Sequence, residues 1–286
     1  PMRDPRGCGR QRALWAGKRG ERGSKALWKL PKIAPVQFST RELPMAPYLL
    51  GAWLGDGTAG KTTLTMSKED IKYVLPAFVE AGYPPSATFI HKDTDVPTAS
   101  FGSGRMGVKS AFKIALEAAG TCYVKCIPEV YKFSSIQQRL ELLAGLIDTD
   151  GHVEKNTGRV RIVTASENLA NDIAEVATSL AFAPYITTQQ PSLSSSGIQG
   201  RQVVYTVGFQ PRMTIPTRLP RKRITGNIRQ DRDPSLVEVR VAEQPEIGRC
   251  IQVARDDGLY LVGRNLTPTH NSHLASTLFP AWFLGK

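Results

Sequence analysis

Cysteine and histidine are scarce in these 286 residues, and their placement excludes several chemistries. The four cysteines, Cys8, Cys122, Cys126 and Cys250, are scattered, and Cys122 and Cys126 lack the spacing and histidine partners of a zinc site. They read as reduced thiols of a cytoplasmic protein, not as a disulfide framework. No apolar run approaches the length that spans a bilayer and no signal peptide is visible, so a membrane protein is not expected. Acidic residues are also in short supply: 25 Asp and Glu stand against 37 Lys and Arg, a formal net charge of +12. That balance favours a polyanionic partner, with an acidic protein or a membrane surface as alternatives to nucleic acid.

Given so few carboxylates, their positions are informative. Leu142 to Gly151 reads L-L-A-G-L-I-D-T-D-G. Ser135 with Gln138 forms a capping-box start, which predicts a helix from Ile136 to about Asp148. That helix is apolar on several sides and ends in Asp148, Asp150 and Gly151. The helix dipole disfavours negative charge at its C-terminal end, so a bound cation is a natural partner. A core helix ending in an ordinary Asp-Gly turn is the plainer reading of one such stretch.

A second copy decides between them. Tyr48 to Gly57 reads Y-L-L-G-A-W-L-G-D-G, with Pro47 suited to a first helical turn. Superimposing Asp56 on Asp150, a separation of 150 − 56 = 94 residues, places Gly51 on Gly145 and Gly55 on Thr149. Each pair of small residues is four apart and shares one helix face, which lets two backbones approach closely. Helices packed through those faces bring Asp56 near Asp150. Two such carboxylates repel unless a divalent metal lies between them, and oxygen ligands with water suit Mg²⁺. Paired carboxylates holding metal on a basic chain point to phosphodiester hydrolysis.

These residues resemble the LAGLIDADG (dodecapeptide, or DOD-type) homing endonucleases in their single-chain, two-motif form. Leu143 to Gly151 departs from the family pattern only at Thr149. The resemblance implies an α+β fold of two pseudo-symmetric halves (αββαββα each), binding double-stranded DNA as a monomer under a saddle of antiparallel strands. It implies that Asp56 and Asp150 bind Mg²⁺, helped by the backbone carbonyls of Gly55 and Thr149. Lys125-Cys126-Ile127-Pro128 resembles the K-x-I-P block of intein-borne members, where the lysine assists catalysis. The basic run Arg218–Arg223 reads as a phosphate-contacting face, with Lys222 the nearest candidate for a second lysine but not assigned that role. Outward strand residues such as Arg159, Arg161 and Gln189 are expected to touch DNA. A non-cutting DNA-binding protein that kept the fold is the rival, and intact Asp56 and Asp150 favour the nuclease.

The remaining pattern predicts strands at Thr62–Met66, Ala87–His91, Thr98–Gly102, Arg159–Thr164, Tyr185–Gln189 and Gln202–Phe209. Helices are predicted from Ser67 to about Ala81, over Val108–Ala119 and over Ser166–Leu180. Each half is thereby one strand short of the family's pattern. Residues 1 to about 30 read as a basic tail without strand or helix period, inside a 1–43 tail and connector; the halves fall at 44–130 and 131–233. From Leu236 short strands (Val237–Val241, Arg249–Ala254, Leu259–Gly263) suggest a small all-β unit over 234–271.

That unit leads into Thr267-Pro268-Thr269-His270-Asn271-Ser272, which resembles the C-terminal blocks of an intein (Hint) splicing domain. The resemblance implies that Asn271 cyclises on its own carbonyl, His270 protonates the leaving nitrogen and Ser272 accepts the upstream acyl group. Ala254 stands where an Asp is usual and Gly258 where a His is often seen, and no histidine precedes His91 to furnish the upstream splicing block. Splicing in cis is therefore expected to fail, with cleavage after Asn271 still open. Ser272–Lys286 resembles the helix after the phosphate-binding loop of phage terminase large subunits, which implies the start of a host protein.

Overall fold

A computed structural model describes residues 15–16, 25–26, 33–90, 95–191, 202–224, 251, 253–254 and 256–270. The chain divides into two compact units, one of residues 35–230 and one of the two terminal segments, 1–34 and 231–286. In the terminal unit, β1 (Trp15–Ala16) pairs antiparallel with β2 (Lys25–Ala26), inside the stretch whose composition predicted no strand. No described helix is long and apolar enough to cross a membrane.

The larger unit begins with α1 (Pro47–Asp56), then β3 (Thr63–Thr65), α2 (Lys68–Glu80), β4 (Ala87–Ile90), β5 (Pro97–Ser100) and α3 (Ala111–Ala118). A short α4 (Glu129–Lys132) leads to α5 (Ile136–Asp150), β6 (Gly151–Val153), β7 (Val160–Thr164), α6 (Glu167–Ser179), β8 (Tyr185–Gln189) and β9 (Val204–Phe209). A 3-10 turn at Pro220–Lys222 follows. In the terminal unit, β10 (Leu259–Val262) and β11 (Thr267–His270) form an antiparallel hairpin. The strands expected at Val237–Val241 and most of Arg249–Ala254 lie outside the described residues.

Helix starts follow local chemistry. Ser135 and Gln138 make both bonds of a capping box, and Gln138 also bonds the Arg41 backbone through its carbonyl and its amide. Ser67, Ser110 and Ser166 cap α2, α3 and α6 by accepting from the backbone three residues on. Arg139, fully buried near the start of α5, donates to Ser134 O (2.9 Å), Ser179 Oγ and Val36 O. It thereby ties the chain entering α1 to α5 and α6, and stacks on the Phe38 ring at 5.0 Å.

Both sheets are antiparallel, in the orders β3-β5-β4 and β6-β7-β9-β8. The sequence reading left the second half one strand short; β6 supplies that strand. The matching strand of the first half is reduced to one bridge, Gly57 with Leu64, at the place where Gly151 pairs with Ile162. Each sheet packs one face on a shared core that includes Trp53, Leu64, Phe78, Phe101, Leu143, Ile147, Ile162 and Phe209. Strands β4 and β8 are exposed along their whole length. On β7, burial alternates, so Arg161 and Val163 face outward while Val160 and Ile162 face the core.

Candidate active site

Helices α1 and α5 cross through their small residues with backbones in contact. A methyl group on Gly51 would lie 2.1 Å from Leu142 O, and one on Gly145 would lie 2.1 Å from Tyr48 O. One turn further, a methyl on Gly55 would lie 2.0 Å from Thr149 Oγ1, whose hydroxyl donates back to Gly145 O at 2.9 Å. Each helix then ends in an aspartate followed by an extended glycine, Gly57 or Gly151, where a side chain would collide with the backbone of Trp53 or Ile147. The crossing is what delivers Asp56 and Asp150 to one place.

Their environment reports the crowding. Burial first, then repulsion from Asp150, push Asp56 up to about 7, against the pull of Lys222 and Lys125. Asp150 is raised by burial, with Lys125 and Lys222 drawing it back. Lys125 Nζ donates to Gly55 O at 2.7 Å. Lys222 Nζ donates to Ile147 O, Asp148 O and Thr149 O, each at 2.8 Å, and is 3 % exposed. Burial pushes both ammonium groups down. Since Gly55 and Thr149 are equivalent in the repeat, one lysine from each half sits on the C-terminal end of its own motif helix, where the dipole is negative.

Lys222 thus points inward to this centre, while Arg218, Arg221 and Arg223 of the same run are exposed. Arg221 makes a two-pronged ion pair with Asp70, and Arg218 reaches Glu80 at 3.3 Å. The signal for Lys222 lay in the repeat: it follows Asp150 by 222 − 150 = 72 residues, and Lys125 follows Asp56 by 125 − 56 = 69. Asp148, two residues from Asp150, has a different task. It accepts from Tyr48 Oη (2.8 Å) and from the backbone N–H of Arg218 (2.6 Å) and Leu219 (3.3 Å), fixing the segment that carries Lys222. His270 is in β11, its backbone opposite Leu259, while Asn271 and Ser272 lie outside the described residues.

Among the described residues no cluster of three or more His, Cys, Asp or Glu side chains occurs. The donors at the centre are two carboxylates and helix-end carbonyls, all oxygen, and two crowded carboxylates gain from a divalent cation between them. The set fits a hard divalent ion. It also predicts a pH response. Stability attached to the protonated Asp56 is fully present below pH 3.8 and is lost as pH rises through about 7. At ~1.4 kcal/mol per unit the loss is roughly 4 kcal/mol at most. Calorimetry in EDTA should therefore find a lower Tm at pH 8 than at pH 5, and Asp56→Asn should remove most of the fall. Adding Mg²⁺ or Mn²⁺ at pH 8 should restore it, because the cation binds the ionised pair. A Tm that holds steady between pH 5 and 8 without metal contradicts this account.

The replicative DNA helicase DnaB of Mycobacterium intracellulare is 30% identical over 249 residues, covering 84% of this chain and 37% of that protein. The chain thus spans little more than a third of that relative's length. Two solved structures of the homing endonuclease I-DmoI are similar at 17% identity. For its mesophilic variants the TM-score is 0.39, covering 59% of this chain and 89% of theirs. For its complex with DNA and Mn the TM-score is 0.38, covering 58% and 89%. The model of the LAGLIDADG-like domain matches residues 137–229, from the second motif helix to beyond Lys222. That stretch is similar to the LAGLIDADG-like domain.

Proposed function

We propose that the chain is a Mg²⁺-dependent endonuclease that cuts both strands of duplex DNA at a specific site and is carried within a protein-splicing element. The observation that carries the reading is the convergence of Asp56 and Asp150 beside two lysines from corresponding places in the repeat, Lys125 half-buried and Lys222 buried. Bound there, Mg²⁺ would neutralise charge developing on the phosphate and lower the pKa of a water. The chain's own part is to hold that ion with ionised Asp56 and Asp150. Lys125 and Lys222, fixed by helix-end carbonyls, would place positive charge beside the centre as negative charge develops on the phosphate. The exposed strands β4 and β8 and the outward Arg161 offer surface to the duplex, and the +12 net charge steers it.

The helicase name of the relative raises a different class, a nucleotide-driven motor. One run, Gly55 to Thr62, has the G-x-x-x-x-G-K-T spacing of a phosphate-binding loop. It begins in the last turn of helix α1 and leads into strand β3, the reverse of the strand–loop–helix order that points backbone N–H groups at phosphate. The motor reading gains nothing from it. That 84% of this chain aligns to 37% of the relative supports a module lying within a longer protein.

The test is cleavage of a random-sequence duplex library with Mg²⁺, followed by sequencing of the ends. Paired breaks recurring at one sequence are expected. Sequence-selective binding with no breaks in Mg²⁺ or Mn²⁺ would favour the non-cutting binder. For the splicing element, the hairpin β10–β11 ends on His270, next to Asn271. With Ala254 and Gly258 where Asp and His are usual, positioning should suffer and cyclisation slow by orders of magnitude, so slow release of the peptide beginning at Ser272 is expected. Intact-mass measurement over days checks it. The same release from Asn271→Ala would assign the cut to ordinary proteolysis.

A further inference from the structure

Three carboxylates on the second helix of each half, Asp70, Asp172 and Glu80, take no part in the centre described above, yet they grip the segments that bear its lysines. The segment holding Lys125 follows α3 of the first half. Its next turn is tied to the second half: Ile127 N–H donates to Asp172 Oδ2 on α6 at 2.8 Å. Asp172 is itself held, because its other oxygen pairs with Lys132, which also reaches Glu175 at 2.9 Å. The segment holding Lys222 belongs to the second half and is tied to the first. Arg221, the adjacent residue, forms its two-pronged pair with Asp70 in the first turn of α2, and Arg218 pairs with Glu80 at the end of the same helix.

The arrangement is crossed. Each ammonium rests on the motif helix of its own half, while a neighbouring residue, Ile127 through its backbone N–H or Arg221 through its side chain, is fastened to the opposite half. We infer that Asp172 and Asp70 are positioning residues that set Lys125 and Lys222 against the aspartate pair, so each lysine is aligned only while the two halves keep their mutual position. Such ties could alternatively be ordinary ion pairs with no bearing on the lysines. Two features argue otherwise. Asp172 binds a backbone N–H two residues from Lys125, a distance of about 7 Å of extended chain, which leaves little slack. Asp70 accepts both prongs of the guanidinium of Arg221, the residue before Lys222, a geometry that fixes the orientation of that guanidinium as well as its distance.

The consequence for the proposed nuclease reading, on which the strand argument rests, is separable loss. If one lysine serves each strand, cutting one tie should misplace one lysine and slow one strand. The experiment uses the full chain with Asp172→Ala and, separately, Arg221→Ala; Asp172→Glu and Asp70→Asn accompany them as charge-conserving and charge-removing companions, each checked for an intact melt. The first measurement needs no activity: labelling by an amine-reactive acylating reagent, read by peptide mass spectrometry. Asp172→Ala is expected to raise labelling of Lys125 severalfold with Lys222 unchanged, Arg221→Ala and Asp70→Asn the reverse, and Asp172→Glu to lie near the parent. The second is strand-resolved cleavage of a supercoiled plasmid bearing the selected site. Asp172→Ala and Arg221→Ala should each slow one strand about tenfold or more, a different strand in the two variants, so nicked circles of opposite polarity accumulate. Equal labelling of both lysines, or none, overturns the inference. So does slowing of both strands alike in a parent protein that cuts. A parent that fails to cut refutes the nuclease reading, while the labelling pattern still decides the crossed ties.

Discussion

Asp56→Asn and Asp150→Asn are each expected to lower double-strand cleavage by about a thousandfold or more, with affinity for duplex DNA unchanged or slightly raised. Asparagine matches aspartate in shape, so the helix crossing at Gly51 and Gly145 is preserved. What goes is one of two carboxylates at a centre whose other oxygens are helix-end carbonyls, two of which already accept from lysine. The effect on stability should have the opposite sign. Burial and the neighbouring carboxylate hold Asp56 up to about 7, so removing its charge relieves a repulsion at pH 8 and should raise Tm in EDTA. A variant that loses activity while gaining stability cannot be explained by misfolding. Asp148→Asn is the contrast: its carboxylate accepts from Tyr48 and two backbone N–H groups, and an amide would turn a donor toward one of these donors. It should lower Tm and, through the Arg218–Leu219 segment, disturb Lys222. Plasmid cleavage, gel-shift binding in Ca²⁺ and melting of all three variants check the set. Full cutting by either Asp56→Asn or Asp150→Asn would sink the shared centre.

The parts of this arrangement legible in the sequence are those written locally or written twice. The capping box at Ser135 and Gln138 and the serine caps of α2, α3 and α6 are contacts over three residues, and they appear where the pattern put them. The pairing of Asp56 with Asp150 was legible because the 94-residue offset also matched Gly51 with Gly145, so a tertiary contact was recorded as a repeat. Strand β6 was not legible: Gly-His-Val is too short to show alternation, and its extent depends on Arg161 and Ile162 opposite. The inward turn of Lys222 within the basic run 218–223 was not legible, because charge density looks the same whether a lysine faces solvent or three helix-end carbonyls. Only the fold distinguishes them, through Asp70, which lies 151 residues from Arg221 in sequence.

Gly145→Ala should be the most destabilising single methyl in the larger unit. On an isolated helix this change would help by about 1 kcal/mol, since alanine is the better helix former. Here the new carbon would lie 2.1 Å from Tyr48 O, 2.6 Å from Ala52 N and 3.0 Å from Gly51 C, all backbone atoms of α1 that cannot rotate aside. Helix α1 must move away along most of its contact with α5, loosening a crossing that buries Leu50, Trp53, Leu143 and Ile147. A net loss of about 3 kcal/mol follows, typical of overpacking at the upper end, which for a unit this size lowers Tm by roughly 6–12 °C. Gly51→Ala meets Leu142 O at the same 2.1 Å and should lose a similar amount. The double variant then separates a shared crossing from two independent clashes. Once the helices have parted for the first methyl, the second finds room, so the pair should lose clearly less than the sum of the singles. Folded protein from either single should also cut more slowly, because widening the crossing moves Asp56 away from Asp150. Strict additivity in the melts, or a single variant as stable as the parent, would show that the two helices do not meet through these glycines.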